Sequence, residues 1–204
     1  IVIALMLASA ITLLDWLGLP SGIVAALALG FGTVVTGAMH EDGLADTADG
    51  LWGGWDPARR LAIMKDSRIG VMGLVAIVCG LAVKWAGIMH LDAHRTLLLI
   101  LIPAYARSGM LFGIRFLPYG RPDGGTGRDF FDEPLKISAF WGLLIPLALS
   151  YFLGWKGLWL NLLFLVSTAV ILMYYKKRMG CITGDMLGAM TEVTESLLFL
   201  LVSI

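Results

Sequence analysis

The chain has 204 residues, 58% hydrophobic and 15% charged, with a mean hydropathy of +0.84. An ordinary soluble domain carries roughly 25% charged residues, so a soluble globule is excluded, and two cysteines are too few for a secreted disulfide scaffold. The 15 basic and 15 acidic side chains cancel, which removes the broad positive field that nucleic acid requires.

The composition predicts an all-α, polytopic integral membrane bundle with six to seven transmembrane helices in a single membrane domain over residues 1–204. A span needs about 20 mostly apolar residues. In chain order, an incomplete apolar run from Ile1 to Leu14 opens the sequence without a methionine, a basic flank or a cleavage site. It is read as the remainder of a span whose N-terminal part is missing. Further apolar stretches follow at 21–39, 69–90, 96–117, 137–153, 158–175 and 186–204, separated by segments rich in turn formers or charge.

Alternate connections fall on opposite sides of the bilayer. Loops 40–68, 116–136 and 176–185 hold ten basic residues, against only Arg95 and Lys156 on the other side. The positive-inside rule puts the three long loops in the cytoplasm. They also carry most of the unusual polar residues, so the working face is expected to be cytoplasmic.

The first of these loops begins His40-Glu41-Asp42-Gly43-Leu44-Ala45-Asp46-Thr47-Ala48-Asp49-Gly50. On a helix Asp46 falls about 40° and Asp49 about 20° from Asp42, while Glu41 points about 100° away. Three carboxylates on one face repel one another unless a cation neutralises them, and Mg²⁺ is the natural occupant because it completes its shell with phosphates and water. The alternative is a solvated acidic loop. Asp66 and Arg68 close the same loop, as a further ligand and a phosphate-binding guanidinium or as a helix N-cap with a basic flank.

Arg107 lies inside a span and needs an acidic partner or an anionic ligand. The Gly-rich loop from Arg121 to Arg128 could cradle phosphate, or be a mobile surface loop; it matches no Walker A or dinucleotide fingerprint. Thr183-Gly184-Asp185 reads as a turn into a helix N-terminus able to receive phosphate. Glu192 and Glu195 lie about 20° and 80° from Asp185 on the last helix. They form a second acidic face, which either serves a ligand or pairs with Arg107 and Lys84. His90 and His94, with Asp92, are read as an interfacial loop and Cys79 as packing.

The motifs HEDGLADTADG, MKDSRIG at 64–70, YARSG at 105–109 and TGDMLGAMTEVTE at 183–195 resemble the cobalamin synthase family, the adenosylcobinamide-GDP ribazoletransferases, over essentially the whole chain. Members of that family carry a few tens of further residues ahead of the position of Ile1. The resemblance implies that a hydroxyl of α-ribazole, or of its 5′-phosphate, attacks adenosylcobinamide-GDP with Mg²⁺ and displaces GMP. It further implies a multi-pass protein of the prokaryotic inner membrane, in contact with lipid, with a homo-oligomer left open. On this reading Asp42, Asp46 and Asp49 hold Mg²⁺, with Asp185, Glu192 and Glu195 completing the site or holding a second ion. One of these carboxylates, or His40, serves as general base, while Asp66, Arg68, Arg107, Arg121 and Thr183 contact substrate. The rival readings are a CDP-alcohol phosphotransferase or prenyltransferase, and a cation-coupled transporter using Glu192, Glu195 and Arg107.

Overall fold

The computed structural model describes residues 2–91, 94–121, 124–125 and 127–203. The calls on Asp92, Pro122, Asp123 and Thr126 lie outside the described residues. Among the described residues nine α-helices account for nearly all of the regular structure: α1 (Val2–Trp16), α2 (Ser21–Thr36), α3 (Met39–Gly53), α4 (Pro57–Ile63), α5 (Val71–Met89), α6 (Arg95–Phe116), α7 (Trp141–Ser150), α8 (Trp155–Arg178) and α9 (Gly184–Val202). Each apolar stretch read from the sequence is helical, and the single β-feature among the described residues is an isolated parallel bridge between Tyr119 and Ile182.

The helices α5, α6 and α8 are long and apolar enough to cross a bilayer. A fourth crossing arises if α2 and α3, bent by 88° at their junction, form one broken span. The expected six to seven spans are therefore not confirmed among the described residues. α1 and α7 are short, with 15 and 10 residues, and α9 carries Asp185, Glu192 and Glu195. Leu74, Val75 and Val78 on α5 and Leu162, Leu165 and Val170 on α8 face outward uncovered, as expected of surfaces solvated by lipid.

Residues 40–53 are not a loop, because the acidic run continues as helix α3. Gly37 ends α2 in the left-handed conformation, φ 63°, with its amide donating to Val34 O and the amide of Ala38 donating to Thr33 O. Such a cap satisfies the last carbonyls of a helix and is easiest for glycine. Ala38 is also left-handed, φ 56°, so two successive positive-φ residues turn the chain sharply and lay α3 across α9. Thr33 Oγ1 donates to Glu41 Oε1 at 2.7 Å and fastens the corner.

Where α3 crosses α9 the side chains vanish. A Cβ on Gly43 would lie 2.6 Å from Asp185 O, and one on Gly188 would lie 3.3 Å from His40 Cα. Small residues of this kind let helix backbones approach closely in membranes. The far end of α3 is tied down by two arginines. Buried Arg60 donates to Gly54 O at 3.0 Å, Trp55 O at 3.3 Å and Arg178 O at 2.7 Å, and Arg178 donates to Leu51 O at 3.0 Å. Their guanidinium groups thereby occupy carbonyls that the ends of α3 and α8 leave free.

Two apolar clusters lie at opposite ends of α9. Leu198, Phe199 and Val202 pack with α1, α2 and α6 in one, and Met186, Leu187 and Met190 pack with Leu51, Tyr175 and Met179 in the other. Glu192 and Glu195 lie between them in the sequence of α9, in a buried layer of charge.

Candidate active site at the acidic pole

The segment after α6 returns to the start of α9. Gly120 N donates to Ile182 O and Ile182 N to Pro118 O, both at 2.9 Å, which sets Arg121 beside the first turn of α9. Arg121 Nη2 lies 2.8 Å from Asp185 Oδ2. That nitrogen is buried, and the ion pair with Asp185 occupies it. Thr183 caps α9, its Oγ1 accepting from Met186 N at 3.3 Å. The capping reading of Thr183-Gly184-Asp185 is thereby met, with Asp185 in the first turn.

Close packing of Gly43 on Asp185 brings the face of α3 that bears Asp42 and Asp46 to the same place. Burial, together with the like charges of Asp42 and Asp185, pushes the Asp46 carboxyl up to about 7, with Arg121 opposing. Burial likewise raises Asp185, and Arg121 pulls it back. Asp42, Asp46, Asp185 and Arg121 thus form one electrostatic unit, with Asp42 exposed and the other three half-buried.

The remaining candidates are distributed elsewhere. Asp49 Oδ2 accepts from Gly70 N at 2.6 Å and Oδ1 from Gly73 N at 2.8 Å, so its carboxylate caps the N-terminus of α5, where negative charge is favourable. Asp66 and Arg68 bind each other, Arg68 Nη2 donating to Asp66 Oδ2 at 2.6 Å. Hydrogen bonds from Arg68 hold the Asp66 carboxyl down at about 2. Arg68 is exposed, and Asp66 does not cap α5, since the cap position is Gly70.

Glu192 Oε2 accepts from Lys84 Nζ at 2.7 Å, and Glu195 Oε2 from Arg107 Nη1 at 3.2 Å. The pairing of both glutamates with Lys84 and Arg107 is therefore present. His40 and Glu41 line a small cavity with these four residues, apart from the acidic pole. The sequence did not reveal the contact of Thr33 with Glu41 or the arginine ties of Arg60 and Arg178. No spacing rule links residues that far apart in the chain.

Among the described residues no group of three or more His, Cys, Asp or Glu side chains forms a ready-made metal cage. The burial and like-charge repulsion that lift Asp46 nevertheless fit a cation that brings its own phosphate oxygens, as magnesium does.

The fold and the site define a helical integral membrane protein with carboxylates and a guanidinium gathered at one pole. The chain belongs to the cobalamin-5-phosphate synthase family, whose model matches residues 1–203. A relative from Chlorobium phaeovibrioides, named adenosylcobinamide-GDP ribazoletransferase, is 37% identical over 199 residues, covering 91% of this chain and 78% of the relative. Another of the same name, from Syntrophobacter fumaroxidans, is 38% identical over 182 residues, covering 88% of this chain and 73% of the relative. No solved structure matches. The resemblance read in the motifs is thus borne out, and the chain is a transferase of cobalamin biosynthesis.

Proposed function

We propose that the protein transfers α-ribazole, or its 5′-phosphate, to adenosylcobinamide-GDP and releases GMP, at the cytoplasmic face of a prokaryotic inner membrane. The observation that carries this reading is the convergence of Asp42, Asp46 and Asp185 with the guanidinium of Arg121 at one pole of the bundle. Such transfers need little covalent help from the protein; they need in-line positioning and neutralised phosphate charge.

Asp42, Asp46 and Asp185 would hold Mg²⁺, which supplies charge neutralisation on the diphosphate. Arg121, paired with Asp185, would set its positive charge beside the diphosphate. The attacking hydroxyl oxygen bonds to the cobinamide-linked phosphorus as the bond from that phosphorus to the GMP oxygen breaks. The hydroxyl proton passes to a carboxylate of the same pole. Asp49 supports the site by fixing α3 against α5. The basic ends of α8 and of the α4 region support the cytoplasmic placement.

The test is GMP release by protein in liposomes supplied with adenosylcobinamide-GDP and α-ribazole, with Mg²⁺ or EDTA. Magnesium-dependent release that falls at least about 100-fold in Asp46→Asn, as when one preorganised electrostatic group is lost, is the expected result. An Asp46→Asn protein that keeps the wild-type rate removes the proposed metal site. No release from folded wild type removes the substrate assignment.

A further inference from the structure

A small cavity of about 30 Å³ lies among α1, α2, α3, α5, α6 and α9, lined by none of the residues of the acidic pole. That is about the volume of one water molecule. Its walls carry Glu41, Glu192 and Glu195 against Lys84 and Arg107. With His40 counted neutral, three carboxylates face two fixed cations, leaving one negative charge over. Lys84 is matched to Glu192 and Arg107 to Glu195, so the surplus falls on Glu41.

The hydrogen bonding leaves one acceptor of Glu41 unpartnered at the cavity, beside one unpartnered donor, Arg107 Nε. Glu41 is more than nine-tenths buried; its Oε1 accepts from Thr33, but its Oε2 is shut off from solvent with no partner. A carboxylate oxygen left alone inside a membrane domain is costly. Thr36 also lines the cavity; its hydroxyl hydrogen is engaged by the carbonyls of Gly32 and Thr33, so the Oγ1 lone pairs are free to accept.

We propose that this cavity is a binding site for one monovalent alkali cation, Na⁺ or K⁺, held by Glu41 Oε2 and Thr36 Oγ1. A divalent ion would overshoot the charge, an anion would double the deficit, and a water molecule would leave it uncorrected. The two oxygens left to coordinate, Glu41 Oε2 and Thr36 Oγ1, suit a hard cation. The site fastens α2 to α3 at the bend that carries the acidic pole, and so couples ion occupancy to the stability of that corner. It does not rest on the transferase reading.

The experiment follows thermal unfolding of the purified full chain in EDTA, at ionic strength held constant by exchanging choline chloride for NaCl or KCl. The expected result is a saturable rise in Tm with Na⁺ or K⁺ that is absent in Glu41→Gln. In Thr36→Val, which keeps every charge, saturation should require a several-fold higher ion concentration. A wild-type Tm indifferent to the exchange overturns the proposal and assigns the surplus charge to a bound proton. A full shift retained in a folded Glu41→Gln protein overturns it as well. Because no substrate is present, neither outcome bears on the reaction at the acidic pole.

Discussion

Lys84 Nζ donates to Glu192 Oε2 across 2.7 Å, joining α5 to α9 inside the bundle with both side chains almost completely buried. Removing one member of a buried ion pair leaves the other uncompensated and costs about 3–5 kcal/mol, whereas replacing both with apolar residues of similar volume is far milder. Lys84→Met and Glu192→Leu should each unfold at markedly lower temperature, and the double variant should recover most of the loss. Thermal unfolding of the three proteins beside wild type measures the coupling.

Asp49 was expected among magnesium ligands, but its carboxylate occupies two backbone amides of α5. Asp49→Ala should therefore lower stability by about 1–3 kcal/mol, the cost of a lost charged cap and unpaired amides. The magnesium concentration giving half-maximal activity should stay near the wild-type value. A large rise in that concentration with unchanged stability would return Asp49 to the metal.

Gly43 sets the distance between α3 and α9. A methyl group there would stand 2.6 Å from Asp185 O, so Gly43→Ala should push the helices apart at a cost of about 1–3 kcal/mol. Because Asp42 and Asp46 move with α3, activity should fall further than stability alone explains, visible as a lower kcat in protein shown to be folded.

The raised Asp46 carboxyl makes the acidic pole pH-sensitive. Its value in the fold is about 7 and its ordinary value 3.8, so between these limits the folded protein holds a proton that the unfolded chain has released. Stability without metal should therefore decline as pH rises through that window. Cation binding must displace the proton, so apparent Mg²⁺ affinity should climb as pH passes about 7 and then level off. Titrations at about pH 6 and about pH 8 should differ in wild type and much less in Asp46→Asn.

The sequence by itself determined the apolar helices, because apolar runs and turn formers act over a few residues and each decides its own neighbourhood; α3 and α4, in the stretch read as a loop, it did not. It also determined the family, through HEDGLADTADG and TGDMLGAMTEVTE, and the presence of acidic groups on α3 and α9. Only the tertiary structure decided their partners. A helical wheel places Asp42, Asp46 and Asp49 on one face, but seven residues of helix separate the first from the last by about 10 Å. Asp49 consequently meets the amides of α5, while Asp42 and Asp46 come within electrostatic reach of Asp185. Likewise Glu192 and Glu195 are claimed by Lys84 and Arg107 from other helices, and Arg121 reaches Asp185 through the pairing of residues 118–120 with Ile182. Contacts of that range depend on how the helices cross, which here follows from the left-handed pair Gly37-Ala38 and the bare backbones at Gly43 and Gly188.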